Sequence, residues 1–380
     1  MAKRVLIVDD SALVRKQIGQ LVETLDFEVE FAKNGQEGVD KAVEENFDVI
    51  TMDINMPVLD GLSAVKLIME KNPTPILMVS SLTSDNATTT MEALDLGAID
   101  YITKPGTMNV GKRENSEDIL EKVSELSRIP KRKMKRMRPV RLPVRQRAPR
   151  RERTTRELTQ KSESRAERAP RERRRETEPK DTLHVGSSQD ITKIVLVGVS
   201  TGGPGLVECI CASLPEDYPH PVCFVQHMPE QFTEAFAERL DRVSALEVHH
   251  SKTNMEVLPG NVYVARGGVH MHFTKKVSGK IVIRDEKDDN NQFFKPSVDE
   301  MFDSALKIFE GKQILGVILT GIGDDGAAGL LKIREAGGYT LGESEDSCTV
   351  YGMPKVAFDI GAVMEQLPFA QIAKKISTFR

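Results

Sequence analysis

Long hydrophobic runs are missing from this chain of 380 residues. No stretch of eighteen apolar residues occurs, and such a stretch is what a membrane-spanning helix requires. Cysteine is scarce as well, with four residues and no C-x-x-C pair. We therefore expect buried, reduced thiols in a cytoplasmic protein that does not insert into membranes.

Positive charge is concentrated in one segment of the chain. The formal net charge is −4, yet residues 131–175 contain 20 basic and 5 acidic residues and carry +15, which leaves −19 elsewhere. This segment has several prolines and almost no apolar residues, so it cannot bury enough surface to offset the entropy lost on ordering. We predict two folded domains, residues 1–128 and 191–380, joined by a disordered basic linker over residues 129–190.

The first domain alternates short aliphatic runs with amphipathic segments. Helical periodicity occurs over residues 12–25 and 62–70, and a last helix is expected over 116–128, opening on an acidic cap. Strand-like runs occur at 5–8, 29–31, 49–52, 76–80 and 101–103. Five repeats of strand and helix predict an α/β fold in which helices cover both faces of a doubly wound parallel sheet.

Polar residues follow four of these predicted strands. Asp9 and Asp10 come after the first strand and Asp53 after the third, and the carboxyl ends of parallel strands form the ligand-binding edge of such a sheet. Three carboxylates would repel one another there unless a hard cation such as Mg²⁺ lay between them. Ser80 and Lys104 end the next two strands, where a hydroxyl and an ammonium group could bind a phosphoryl group on Asp53.

The motifs VDD, MDINMP, VSS and TKP resemble those of response-regulator receiver domains, which have a flavodoxin-like fold. Solvated strand ends alone would not account for four such motifs in this order. The resemblance implies that Asp53 accepts a phosphoryl group from a histidine kinase and that Ser80 and Lys104 sense the modified state. The residues that it assigns to Mg²⁺ are Asp9, Asp10, Asp53 and Asn55, the last through its backbone carbonyl.

The second domain has a similar alternation. We expect a Rossmann-like, mostly parallel sheet with one antiparallel hairpin at FTKKVSGKIVIRD. The predicted helices are 206–212, 232–243, 298–309 and 327–336. The predicted strands are 194–199, 222–226, 262–265, 281–284 and 314–319.

The turn in KIVLVGVSTGGPG can in principle hold a phosphate, a dinucleotide or a nucleophile. The dinucleotide motif G-x-G-x-x-G needs a glycine where Ser200 stands, and the Gly-Lys-Ser/Thr ending of a Walker loop is absent. GVSTG instead matches G-x-S-x-G, the pattern of a nucleophile elbow. A helix starting at Pro204 would direct its dipole at the turn, which favours an oxyanion as much as a phosphate.

A nucleophilic serine needs a base, and the base needs an orienting carboxylate. His227 directly follows the strand PVCFVQ, and Asp324 and Asp325 follow the strand at 314–319. Residue types alone do not choose between the two aspartates, and TGIGDDG taken alone could be a metal-binding or capping loop. The chain order Ser–His–Asp differs from the Ser–Asp–His order of α/β-hydrolases.

Five motifs in the second domain resemble the catalytic domain of CheB-type chemotaxis protein-glutamate methylesterases, which carry a receiver domain ahead of it. They are GVSTGGP, VQHMPEQFT, KPSVDEMF, LTGIGDDGAAGL and VYGMPK. The resemblance implies a catalytic triad of Ser200, His227 and Asp325, with Thr201 helping to fix its geometry. Backbone N–H groups of the loop 320–323 would receive the oxyanion. Ile322 stands where the family usually has methionine, which a backbone donor tolerates.

The same resemblance implies the activity and the partners. A phosphorylation-regulated enzyme would remove methyl groups from glutamyl esters of chemoreceptors, release methanol and deamidate certain receptor glutamines, giving adaptation in chemotaxis. The unphosphorylated receiver would cover the active site, and a chemotaxis histidine kinase would be the phosphodonor. We expect a monomer, with Mg²⁺ in the receiver and no cofactor for the esterase reaction.

Two rival interpretations remain open on the sequence. The arginine-rich segment could bind nucleic acid through phosphate contacts, but it lacks interleaved aromatic residues and the second domain has no helix-turn-helix pattern. We therefore expect a solvated tether and no specific nucleic-acid partner, although the tether could touch acidic receptor or membrane surfaces. The second rival is a receiver-linked hydrolase that acts on a different ester.

Overall fold

The computed structural model describes residues 2–81, 84–105, 112–134, 187–287 and 294–380. They form two α/β domains, each built on its own parallel sheet. Within these ranges no helix combines the length and the apolar character needed to cross a bilayer.

The first domain has five parallel strands in the order β2-β1-β3-β4-β5. The strands are β1 (Arg4–Val8), β2 (Glu28–Ala32), β3 (Val49–Asp53), β4 (Ile76–Ser80) and β5 (Asp100–Thr103). The helices are α1 (Ala12–Glu23), α2 (Gly35–Glu44), α3 (Gly61–Lys71), α4 (Ser84–Asp95) and α5 (Lys112–Leu126). β3 and β4 are buried along their whole length, as expected of strands covered on both faces. The chain order reverses between β1 and β3, which creates a ligand-binding crevice at their carboxyl ends.

The second domain has a seven-stranded parallel sheet in the order β14-β13-β12-β6-β7-β9-β8 and a separate antiparallel hairpin, β10–β11. Its strands are β6 (Ile194–Val199), β7 (Val222–Gln226), β8 (Glu247–His250), β9 (Asn261–Val264), β10 (His270–Lys275), β11 (Ile281–Glu286), β12 (Ile314–Ile318), β13 (Tyr339–Glu343) and β14 (Glu365–Leu367). Its helices are α7 (Pro204–Ser213), α8 (Glu230–Val243), α9 (Val298–Leu306), α10 (Ala327–Glu335), α11 (Met353–Asp359) and α12 (Phe369–Thr378). The predicted parallel sheet and hairpin are confirmed.

Two expectations about the chain's middle need correction. The last helix of the first domain begins at Lys112 and not at Ser116, because Lys112, Arg113 and Glu114 are strong helix formers and extend it. The predicted linker 129–190 is ordered at both ends. A short helix α6 (Lys131–Met134) follows α5, and Met134 is buried with Ile129. Ser188–Asp190 form a 3₁₀ turn, and residues 135–186 lie outside the described residues.

Candidate active site

Three neighbouring strands of the second domain bring the predicted triad together. β12, β6 and β7 are adjacent in the sheet, and all three run in the same direction. Ser200 follows β6, His227 follows β7, and Asp325 lies in the loop after β12. Because parallel strands end at one edge, these side chains converge although up to 125 positions separate them along the chain.

The serine turn is held by its neighbours on both sides. The Ser200 N–H donates to the Thr320 carbonyl at 2.9 Å, and the Gln226 side-chain amide donates to the Ser200 carbonyl at 2.9 Å. Gly202 adopts φ +78°, a conformation that side chains disfavour, and a Cβ there would lie 2.4 Å from Thr349. The turn therefore has a fixed shape, with Ser200 only 6% exposed.

His227 is positioned by a carboxylate at its edge and an aromatic ring on its face. Its Nε2 lies 2.7 Å from Asp325 Oδ2. Phe294 stacks on the imidazole with ring centroids 4.1 Å apart and planes at 7°. With Nε2 directed at the carboxylate, Nδ1 is the ring nitrogen that faces away from Asp325, and it is buried. Among the described residues Nδ1 has no hydrogen-bond partner, so the Ser200 hydroxyl does not contact it in this structure. A rotation of the Ser200 side chain toward Nδ1 would be needed before the imidazole could accept its proton.

Asp325 receives hydrogen bonds on both oxygens from the start of α9. Ser297 Oγ donates to Oδ1 at 2.8 Å, the Asp299 N–H to Oδ1 at 3.0 Å and the Val298 N–H to Oδ2 at 2.7 Å. Burial raises the pKa of Asp325, but the hydrogen bonds from His227, Val298 and Asp299 outweigh it and hold the pKa below its usual value. The carboxylate is thus kept ionised beside the imidazole.

The loop after β12 offers backbone donors to a developing oxyanion. The Thr320 N–H is taken by Glu343 Oε2 at 2.9 Å, and the Gly321 N–H by the Val350 carbonyl at 3.1 Å. In the part of the chain that the structure describes, the N–H groups of Ile322 and Gly323 have no recorded acceptor. These two are therefore the candidate donors among the four residues predicted from the sequence.

Three other residues named from the sequence have different surroundings. Asp324 is exposed, whereas Asp325, the aspartate that the resemblance favoured, is 9% exposed and faces His227. The Ile322 side chain is buried in an apolar cluster that includes residues of the first domain. The Thr201 hydroxyl was expected to help fix the triad, but it donates to Asp100 of the first domain at 2.5 Å.

Sequence reasoning missed the residues that hold Asp325 and His227. Ser297 and Asp299 belong to the quoted motif KPSVDEMF, and Phe294 directly precedes it. A helix start marked by Ser297 is a recognisable N-terminal cap. No sequence signal showed that this helix would point at the loop after a different strand.

The first domain lies against the edge of the sheet that carries the triad. Asp100, which bonds Thr201, is also 3.3 Å from Lys122 of α5. The Tyr101 ring stacks on Phe232 of α8 with centroids 4.5 Å apart. Lys133 of α6 donates to the Glu345 carbonyl at 3.0 Å. The residue next to Ser200 is therefore engaged by the first domain.

The first domain has its own polar site at the crevice beside β1 and β3. Ligand oxygens of Asp9, Asp10 and Asp53 all lie within 4.8 Å of one another. Lys104 Nζ lies 2.8 Å from Asp53 and 3.2 Å from Asp9. Burial, and next the neighbouring Asp9, raise the pKa of Asp53 to about 6 against the pull of Lys104.

The remaining residues predicted for this site lie at the same edge. Ser80 ends β4, its carbonyl accepts the Lys104 N–H at 2.9 Å, and its hydroxyl accepts from Thr90 at 3.3 Å. Asn55 is exposed two residues after Asp53. Three crowded carboxylates fit a hard divalent cation such as Mg²⁺, and burial raises the pKa of two of them, Asp9 and Asp53.

These two sites define a class of protein. It is a serine hydrolase coupled to a domain that has an acidic, phosphoacceptor-like site. Residues 195–376 match the family described as CheB methylesterase, and residues 5–113 match the response regulator receiver domain. The chain belongs to the CheB methylesterase family, in the form that carries a receiver domain ahead of the catalytic domain.

Relatives with this architecture cover almost the whole chain. A protein-glutamate methylesterase/protein-glutamine glutaminase of Carboxydothermus hydrogenoformans is 41% identical over 98% of this chain and 98% of its own. One from Archaeoglobus fulgidus is 39% identical over 99% of this chain and 97% of its own. The crystal structure of the Thermotoga maritima CheB methylesterase catalytic domain is 38% identical, with a TM-score of 0.47, and covers 50% of this chain and 98% of that one.

Proposed function

We propose that this chain hydrolyses glutamyl methyl esters on chemoreceptors and releases methanol, under the control of phosphorylation at Asp53. The observation that carries the proposal is the ionised Asp325 carboxylate 2.7 Å from His227, on the strand next to the one that presents Ser200. The names of the relatives support the substrate class.

In the acylation step, His227 Nδ1 takes the proton from Ser200 Oγ as the oxygen attacks the ester carbonyl. Asp325 holds the tautomer with a proton on Nε2 and stabilises the imidazolium that forms. The N–H groups of Ile322 and Gly323 stabilise the oxyanion, each contributing about 3 kcal/mol. The imidazolium then gives its proton to the departing methoxide, and methanol leaves.

In the deacylation step, His227 removes a proton from water, which attacks the acyl-enzyme. Collapse of the second tetrahedral intermediate returns the proton to Ser200 and leaves a glutamate on the receptor. Deamidation of a receptor glutamine follows the same steps, with ammonia as the leaving group in place of methanol. Neither reaction requires a group beyond the three side chains and the loop.

Control by the receiver is supported by the contacts of Asp100 and Tyr101 beside the serine turn. Ser200 is 6% exposed, and the first domain contacts its neighbour Thr201 through Asp100. A receiver in this position would hinder the approach of a receptor glutamate. Phosphorylation of Asp53 would draw Ser80 and Lys104 toward the phosphoryl group and weaken the packing of the adjoining β5. A bound Mg²⁺, held by Asp9, Asp10 and Asp53, would neutralise charge during phosphoryl transfer.

The partners follow from the two sites. The receiver takes its phosphoryl group from a chemotaxis histidine kinase, and the catalytic domain acts on methylated receptors, so that kinase activity is matched by removal of methyl groups. This coupling gives adaptation.

The deciding experiment measures methanol release from membranes that contain methylated chemoreceptors, with and without acetyl phosphate as phosphodonor. We expect release by the native chain, faster with the phosphodonor, and none from Ser200→Ala. Absence of release from the native chain would refute the esterase assignment. Equal rates with and without the phosphodonor would refute the regulatory part and leave the esterase assignment standing.

A further inference from the structure

Glu343 is a fully buried carboxyl group that the mechanism above does not use. It ends β13, next to β12 in the sheet, and its side chain has no exposed surface. Burying a carboxyl group costs several kcal/mol unless hydrogen bonds compensate. Its position one strand away from the loop that receives the oxyanion suggests what it does there.

Hydrogen bonds from Thr320, Ser347 and Cys348 meet the Glu343 carboxylate. The Thr320 N–H donates to Oε2 at 2.9 Å, and Ser347 Oγ donates to Oε1 at 2.8 Å. The Ser347 oxygen accepts the Phe369 N–H at 3.0 Å, which leaves its hydroxyl hydrogen for the carboxylate. Burial raises the pKa of Glu343, and the hydrogen bonds from Thr320 and Ser347 oppose that rise.

Thr320 links the nucleophile to the loop that follows β12. Its carbonyl accepts the Ser200 N–H at 2.9 Å, and its hydroxyl donates to the Thr201 carbonyl at 2.9 Å. The same hydroxyl accepts the Val350 N–H at 2.9 Å. Every polar group of Thr320 is thus engaged, and among the described residues its N–H has Glu343 as its acceptor.

We propose that Glu343 is a positioning residue for the hydrolase, which fixes Thr320 and through it sets the distance between Ser200 and the oxyanion donors. The inference rests on the proposed function. Its basis is a short chain of contacts through one residue. Glu343 accepts the Thr320 N–H, and the Thr320 carbonyl accepts the Ser200 N–H, two strands away from Glu343 in the sheet.

Loss of the Glu343 carboxylate as an acceptor should impair catalysis more than substrate binding. Without it the Thr320 N–H would be buried and unsatisfied, so the loop would shift to find a partner. A shift of the Thr320 carbonyl moves Ser200 relative to Ile322 and Gly323, and catalysis is sensitive to displacements of about 1 Å. Substrate binding outside this loop would be little affected, which predicts a loss in kcat rather than a rise in KM.

The test compares Glu343→Leu, which removes the acceptor, with Glu343→Gln, which keeps an oxygen for the Thr320 N–H. The matched control is Thr340→Val. This residue is equally buried on the same strand, and its hydroxyl donates to the Ala362 carbonyl at 2.7 Å, away from the triad. Full-length proteins activated with acetyl phosphate are assayed with p-nitrophenyl acetate for the burst of acylation, and with thermal unfolding.

We expect Glu343→Leu to lower the burst rate and kcat at least tenfold, with KM within twofold of the native value. Glu343→Gln should stay within threefold, and Thr340→Val should lose thermal stability without losing burst rate. A folded Glu343→Leu protein with the native burst rate would overturn the inference. So would an equal loss in Glu343→Gln, because an acceptor would then not be the required property. A native chain that gives a burst but releases no methanol would overturn only the proposed substrate.

Discussion

Replacing Asp325 with asparagine tests the geometry of the triad most directly. The carboxylate accepts four hydrogen bonds, from His227, Ser297, Val298 and Asp299, at 2.7–3.0 Å. An asparagine has one acceptor oxygen and one NH₂ donor in the same space. If the NH₂ group faces His227, it donates to Nε2 and forces the ring proton onto Nδ1, the nitrogen that must accept the Ser200 proton.

The opposite orientation of the amide is also unfavourable. The NH₂ group would then oppose two donors, Ser297 Oγ and the Asp299 N–H, and leave the latter unsatisfied at a cost of about 1–3 kcal/mol. Each orientation therefore leaves one backbone N–H unsatisfied, that of Val298 in the first and that of Asp299 in the second. The first orientation also imposes the wrong histidine tautomer, and both remove the negative charge that stabilises the imidazolium. The loss in kcat should be three to four orders of magnitude, about 4–5.5 kcal/mol, a size documented for the equivalent change in a serine protease.

The matched control for Asp325→Asn is Asp324→Asn, because Asp324 is the exposed neighbour with the same side chain. Both proteins are assayed for the burst with p-nitrophenyl acetate and for methanol release, and thermal unfolding checks that they are folded. Asp324→Asn should keep nearly native rates. An Asp325→Asn protein within tenfold of the native kcat would refute the role that we assign to this carboxylate.

Three further changes test other parts of the molecule. Because burial raises the pKa of Asp53 to about 6 from 3.8, its ionisation above that pH destabilises the folded domain. Asp53→Asn should thus raise the free energy of unfolding at pH 8 by up to about 3 kcal/mol and leave it unchanged at pH 3. Thermal unfolding without divalent cations measures both values. Asp100→Asn should raise the rate of methanol release without phosphodonor about tenfold, because it weakens the charged hydrogen bond between Asp100 and Thr201. An unchanged rate would contradict this expectation. Gly202→Ala should lower the burst rate and the stability, because residue 202 has φ +78° and its new Cβ would collide with Thr349. Gly205→Ala should be neutral, because no atom lies within 4 Å of a Cβ there. Equal effects of the two substitutions would contradict the idea that strain at residue 202 is the cause.

The strands that carry the triad could be predicted because each is a short run of apolar, largely β-branched residues followed by polar residues. β6, β7 and β12 satisfy that pattern. Because parallel strands end at one edge of a sheet, the polar residues that follow them could be predicted to lie close together. The sheet order could not be predicted, although it explains why these three strands are neighbours. β13 was missed because polar residues interrupt its apolar pattern, and β14 because it has only three residues.

The residues that support the site could not be predicted, for a physical reason. Glu343 lies in GESED, which has the composition of an exposed acidic turn, and only packing against other elements buries it. Asp100 and Thr201 are 101 positions apart and in different domains. Contacts of this kind depend on how elements pack, and neither periodicity nor local motif contains that information.

Arg239 indicates how the two domains can separate at little electrostatic cost. It contacts Glu208 of its own domain through Nε at 2.9 Å and a terminal nitrogen at 2.7 Å, and it also pairs with Asp95 of the first domain. On separation the guanidinium keeps Glu208, and the half-exposed Asp95 returns to water, so neither charge is stranded in an apolar surface. If the domains separate on phosphorylation as proposed, the Tyr101–Phe232 contact would be lost without leaving either of these charges unpaired in an apolar surface.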